Sequence, residues 1–435
     1  MKKILALILA ILMVASLAAC GGSDDAATGD SASNATGSVY WLNFKPEADV
    51  ALQEIAKTYK AETGVDVKIV TAASGTYSQT LTSEMDKTDA PTLFVVGNQA
   101  GVKQWGDYCL DLNGTDIFNE LSTDAFNLKD EAGKVCSIGY CYESFGIIVN
   151  KALLKTAGYE ITDIKDFDSL KTIAEDIHAR AAELGFDAFT SSGLDDSSSW
   201  RFSGHLANMP LYYEAKDGNW TETPATIEGT YLANFKNIWD LYINNSATKP
   251  SELATAGKDA EAEFGNGEAV FYQNGSWEFA NLTAADKYAM KAEDLHMIPI
   301  YCGVEGEDKA GLCSGTENCW AVNAKASKED QDATIAFMKW MVTSEAGTKC
   351  MAEQFGEIPY KGAAANENVF FQNAKAYLDA GNYSVDWAFN YTPNVDEWRA
   401  GLVDAMTKYC NGGDWADVET AFVNGWATQY AAVNG

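Results

Sequence analysis

Histidine is scarce in this chain: His178, His205 and His296 are the only ones in 435 residues. No Cys-x-x-Cys pair occurs, so the ligand spacing of a zinc site has little to build on. The signatures Gly-x-Ser-x-Gly and His-Glu-x-x-His are missing as well. No stretch approaches 18 consecutive apolar residues, so none reads as a membrane span. No repeat of period 20–50 residues is visible, and no Pro- or Ser-rich linker follows residue 38. Cations are outnumbered: 31 Lys and Arg stand against 62 Asp and Glu, a net charge of −31. A surface of that sign repels phosphate backbones, which argues against a nucleic-acid partner.

What is present begins with a compact N-terminal pattern. Lys2 and Lys3 precede the apolar run Ile4–Ala15, which would span about 18 Å as a helix. That is too short for a hydrocarbon core of about 30 Å and fits a signal peptide over 1–19. Leu17-Ala18-Ala19-Cys20 resembles the bacterial lipobox, which makes Cys20 the lipidated first residue of the mature chain. Residues 21–38 hold only Gly, Ser, Thr, Ala, Asn and Asp, a disordered linker by composition. Eight cysteines remain beyond Cys20. An extracytoplasmic address permits disulfides, with Cys302–Cys313 the favoured pair and free buried thiols the other reading.

From Val39 onward, strands alternate with helices. Val39–Leu42 is β-prone, and Ala48, Ala51, Leu52, Ile55, Ala56 and Tyr59 share one helical face ended by Gly64. Val65, Val67 and Ile69 alternate as a strand, while Thr92–Val96 and the run from Gly146 read as strands buried on both faces. This order predicts an α/β fold with a parallel sheet. The second half carries amphipathic helices in "TYLANFKNIWDLYIN" and "DATIAFMKWMVTSEAG". The chain also holds 12 Trp and 20 Tyr, and flat rings with polar tips suit uncharged polyhydroxylated ligands.

Four segments, in order, resemble the carbohydrate-type solute-binding proteins (family 1) of ABC transporters, whose relatives include maltose-binding protein. They are "YWLNFKPEADVALQEIAKTYKAETGVDVKIV", "GKVCSIGYCYESFGIIVNKALLKTAGY", "AEFGNGEAVFYQNGSWEF" and "GTENCWAVNAKASKEDQDATIAFMKWMVTSEAG…FGEIPYKG". Cys136 and Gly139 stand where the family usually has tyrosine and proline. The resemblance implies a two-lobed periplasmic-binding-protein-like fold (type II) with a ligand cleft between lobes joined by hinge crossings. It implies an N-terminal lobe of 39–143 plus about 298–327 and a C-terminal lobe of 144–297 plus about 328–435. It further implies a monomer anchored by lipid on the extracytoplasmic face of a bacterial cell membrane. Such a protein takes a mono- or oligosaccharide to permease subunits, without a cofactor or metal.

Candidate ligand-binding residues follow from loop positions and from the resemblance together. Phe44, Lys45 and Glu47 lie in the first strand-to-helix loop, and ligands of open α/β sheets bind beyond the carboxyl ends of strands. Ser74 follows the second strand. Asn98 and Gln99 follow the buried strand ending at Val96, and amides both donate to and accept from hydroxyls. Glu143 lies in the first crossing, and Glu317 and Asn318 lie beside the second. Trp277 is a candidate stacking platform weighed against a place in the core, and the resemblance implies a late aromatic platform at Trp398 and a cleft position for Trp200. Arg201 either donates to sugar hydroxyls or pairs with Asp195 or Asp196.

Two other functions compete. A cell-surface glycoside hydrolase needs two carboxylates about 5–9.5 Å apart, a spacing that 62 acidic residues always meet somewhere. A binding protein for a non-sugar solute is the second.

Overall fold

The computed structural model describes residues 37–434 apart from 192, 196 and 255–258. The expected signal peptide, Cys20 and the linker as far as residue 36 lie outside the described residues, as does Asp196. The first sheet contains β1 (Val39–Asn43), β2 (Val67–Thr71), β3 (Leu93–Val95), β4 (Leu128–Lys129) and β5 (Val135–Gly139). The second contains β6 (Glu143–Asn150), β7 (Asp187–Phe189), β8 (Ala269–Gly275), β9 (Leu295–Ile298) and β10 (Ala310–Gly315). The chain then returns to the first sheet as β11 (Cys319–Val322) and ends in the second as β12 (Tyr383–Asp386).

Strand order is β2-β1-β3-β11-β5-β4 in one sheet and β12-β10-β6-β8-β7 in the other, with β9 also paired to β6. The expectation of a parallel sheet holds only for part of each. β1, β2 and β3 are parallel, but β11 runs antiparallel to β3, with Trp320 opposite Val95. The reason is topological: β11 enters from the other sheet and so runs back against its neighbours.

Local sequence accounts for the elements. The helix Asp49–Thr63 buries Leu52, Ile55, Ala56 and Tyr59 and stops at Gly64, whose φ of 78° suits a residue without Cβ. Every residue of β3 and β6 is buried, as the apolar runs Leu93–Val95 and Gly146–Val149 predict, and polar Glu143, Ser144 and Asn150 of β6 are buried with them. Helix Lys328–Thr343 is capped by Ser327, whose hydroxyl accepts from the Asp330 amide at 3.1 Å.

Each sheet has its own core. Trp41 packs against Tyr140, Trp320, Phe337 and Phe355 in the first. Trp239, Phe202, Trp398, Phe422 and Trp426 fill the second. Five of the twelve tryptophans, Trp41, Trp239, Trp320, Trp398 and Trp426, are thus fully buried, so much of the aromatic surplus serves packing.

The expected lobe boundaries need revision. β10, placed in the first lobe by the sequence, pairs in the second sheet. Helices Lys328–Thr343 and Glu345–Phe355, placed in the second, supply Phe337, Met341, Met351 and Phe355 to the first core. The described chain passes between sheets at 140–142, 316–318 and 356–368. These passages bond side by side: Tyr140 N donates to Asn318 O at 3.0 Å and Tyr142 N to Glu357 O at 2.6 Å. The eight cysteines beyond Cys20 are free and buried, so the Cys302–Cys313 pairing is not formed. Among the described residues no helix is long and apolar enough to cross a membrane.

Candidate functional site

Where the two sheets meet, the loop after β1 faces the first residues of β6. Lys45 Nζ lies 2.5 Å from Glu143 Oε1 and 3.1 Å from Glu47 Oε1, with the Lys45 and Glu143 side chains both only 4% exposed. Asn318 completes the group, its Nδ2 donating to Glu143 Oε2 at 3.2 Å. Burial works against the Lys45 charge, but Glu143 and Glu47 outweigh it and hold the ammonium well above its ordinary pKa. Burial pushes Glu143 upward, opposed by that same ammonium.

Lys45 also stands 5.6 Å from the ring centre of Trp277, at the end of β8. The Trp277 indole folds back over Gly275, where a Cβ would meet the ring at 2.2 Å. Around it gather rings from separate elements. Trp200 lies 6.2 Å away, and His205 lies 5.6 Å from Trp277 and 4.9 Å from Trp200. His205 stacks on Phe145 of β6 at 3.9 Å and 5°. It sits on a π-helical turn, Arg201–Leu206, a form concentrated at functional sites. Gln273 Nε2 is 2.8 Å from His205 Nδ1. Burial, then Arg399 and Arg201, push the imidazole well below its ordinary pKa, so it is neutral at pH 7.

Arg201 lies over Trp200 at 4.7 Å and donates to Tyr272 Oη at 3.3 Å. Asp195, one of its two expected partners, instead accepts from the Ser197 amide and hydroxyl at 2.9 and 2.5 Å. Arg399 lies over Phe389 at 5.3 Å. Glu278, buried at the start of the helix Glu278–Thr283, has its pKa raised from 4.5 to about 8 by burial and by Glu261, against the pull of Arg201. Glu317, half-buried, is also pushed upward by burial, with Arg399 opposing. A cavity of about 580 Å³ opens between this helix and Glu345–Phe355, with Glu143, Ser276 and Trp277 on its wall and Asn366, Glu367 and Asn368 along the third passage.

Of the residues singled out in the sequence, Lys45, Glu47, Glu143, Trp200, Arg201, Trp277, Glu317 and Asn318 come together here. Others do not. Trp398 is 1% exposed and its Nε1 donates to Phe422 O at 3.0 Å, so it is a core residue and no stacking platform. Asn98 caps the helix Gln99–Trp105 by accepting from the Gly101 amide at 2.8 Å, and Gln99 is exposed on its first turn. Phe44 packs edge-on against Tyr77 at 5.3 Å, and Ser74 is exposed before the helix Tyr77–Met85. The sequence reading passed over Phe145, His205, Tyr272, Gln273, Glu278 and Arg399. Arginine scarcity was the available signal: of only three in the chain, Arg201 and Arg399 stand here. Successive helical residues point about 100° apart. That rotation sends Trp398 into the core and Arg399 toward the rings.

Residues 54–380 match the bacterial extracellular solute-binding protein family. The chain belongs to that family. It is 25% identical over 420 residues to the diacetylchitobiose binding protein DasA of Streptomyces coelicolor, covering 92% of this chain and 90% of that one. Its fold matches the solute-binding protein RafE in complex with raffinose with a TM-score of 0.70 at 18% identity, covering 92% of this chain and all of that one. The GacH receptor of Streptomyces glaucescens, solved unliganded and with acarbose, matches with a TM-score of 0.66 at 20% identity, over 92% and 98% of the two chains. The two-sheet architecture is therefore that of the periplasmic solute-binding proteins.

Proposed function

We propose that this solute-binding protein is the sugar- or oligosaccharide-binding component of an ABC importer, held at the extracytoplasmic membrane face through Cys20. One observation carries the reading. Rings and hydrogen-bonding groups converge from both sheets on Trp277, with Lys45 reaching it from the first sheet and Trp200 and His205 from the second. Indole faces stack on the CH faces of pyranose rings, and amides, carboxylates and guanidinium groups meet hydroxyls. The ligands named for DasA, RafE and GacH are saccharides, which favours the same class here.

The three passages between sheets act as a hinge in this reading. A ligand touching both sides binds the closed arrangement better than the open one and so shifts the population toward it. The permease then distinguishes loaded from empty protein by shape. The protein binds and delivers its ligand unchanged, and works as a monomer.

Thermal-shift measurements against mono- and oligosaccharides, followed by calorimetry on each hit, test this. A ligand at 100 times its dissociation constant adds about 2.7 kcal/mol to stability. Absence of any saccharide hit overturns the sugar assignment, and turnover of a bound oligosaccharide makes the protein a hydrolase instead.

A further inference from the structure

The cations of this site are treated unequally. Lys45 is neutralised by Glu47 and Glu143. Away from the site, Arg180 is paired with Asp176. Arg201 and Arg399 form no ion pair with any carboxylate among the described residues. The Nε of each is buried without a hydrogen-bond partner, as are Gln273 Oε1 and Glu278 Oε2 beside them. A guanidinium group offers five donors, and the bond from Arg201 to Tyr272 uses one.

The two arginines also share a location. A Cβ placed on Gly204 would come within 2.9 Å of an Arg399 terminal nitrogen, so this guanidinium group lies against the π-turn that begins at Arg201. His205, between them in electrostatic terms, is neutral and adds no counter-charge. Glu278, which acts electrostatically on Arg201, and Glu317, which feels Arg399, are both shifted by burial toward the protonated form. In a chain with twice as many acids as bases, two arginines at one π-turn without an ion-paired carboxylate are conspicuous. Leaving such groups buried and unsatisfied is costly, more so when they are charged. A ligand that supplies the missing acceptors recovers that cost.

We propose that the ligand is an acidic saccharide, whose oxyanion is received by Arg399 and Arg201 while its ring lies on the Trp277–Trp200 wall. The inference rests on the sugar-binding reading and narrows it. A planar carboxylate matches the guanidinium fork through two parallel N–H···O bonds, and a sugar phosphate shares that chemistry.

Calorimetry on the purified chain separates the possibilities. The probes are di- and trisaccharides of galacturonate, glucuronate and mannuronate, the same compounds methyl-esterified, hexose phosphates, and neutral oligosaccharides. The expected result is at least one acidic saccharide bound roughly tenfold tighter than its methyl ester or unphosphorylated form. A uronate hit identifies a carboxylate as the anion, and a hexose-phosphate hit a phosphate. In Arg399→Gln, that ratio should fall to within about threefold. Arg201→Gln is a second variant, and the comparison of acid with ester in the parent protein depends on neither variant folding. Neutral saccharides bound as tightly as acidic ones overturn this inference and leave sugar binding standing. No binding of any saccharide overturns both. A preference for acid that survives both substitutions rejects the two arginines as its cause.

Discussion

Lys45, just beyond the end of β1, and Glu143, the first residue of β6, form an ion pair that joins the two sheets at 2.5 Å. Removing one partner leaves the other charged or protonated in a buried place, at a cost of about 3–5 kcal/mol. Lys45→Met and Glu143→Gln should each lower the urea midpoint of the unliganded protein. The double variant should lose less than the sum of the two. Additive losses in that cycle would show that the pair contributes no coupling.

Trp277 and Trp398 should respond in opposite ways to the same substitution. Trp277→Ala is expected to weaken saccharide binding by about 2–4 kcal/mol while the fold survives. Trp398→Ala empties a packed site and should cost about 3–5 kcal/mol of stability, with affinity in the folded fraction retained. Calorimetry and thermal melting on both variants check this, and a reversal of the two patterns would exchange their roles.

Stability should fall as pH rises through the range set by Glu278. Its carboxyl titrates near 4.5 when exposed but at about 8 in the folded protein. Between those values the unfolded chain has lost a proton that the native chain keeps, so the slope of stability with pH is negative. The group contributes at most about 1.4 kcal/mol per pH unit there. Glu278→Gln should flatten denaturation midpoints between pH 5 and 8 relative to the parent. An unchanged slope would mean that Glu278 titrates normally.

Closure is measurable in solution. Saturating saccharide should reduce the radius of gyration in small-angle scattering and change tryptophan fluorescence, because Trp200 and Trp277 are half-buried where the sheets meet. An unchanged radius with a bound ligand would reject hinge motion as the signal to the permease.

The proposed attachment through Cys20 has its own test. Cys20→Ser should abolish lipid-dependent membrane retention, and a variant retained as firmly as the parent would refute the lipobox reading.

How far the sequence carried these conclusions varied with the range of the interactions involved. β1, β3, β6 and the helix Asp49–Thr63 were legible because burial on one or both faces imposes a local periodicity. Lys45 and Glu47 were legible because a loop after a first strand has a fixed relation to the cleft. Lobe membership was not, since β10 joins β6 and β12 through pairings between residues such as Ser314, Ser144 and Asp386, which lie far apart in the chain. Trp398 and Arg399 show the same limit at closer range: they are neighbours in sequence, and only the packing of their helix decides which one enters the core.

The late arrival of β11 in the first sheet has a consequence for how the polypeptide is made. Trp320 lies between Val95 of β3 and Ile138 of β5, so a growing chain that has emerged only as far as β10 holds two unpaired strand edges. Phe337, Met351 and Phe355, which cover the same core, emerge later still. Native structure in the first half of the polypeptide therefore waits for the last third of synthesis. Contacts so distant in sequence make folding slow and leave apolar strands exposed meanwhile. Until Trp320 has emerged, β3 and β5 have no strand between them, and the first core stays open until residue 355 has appeared.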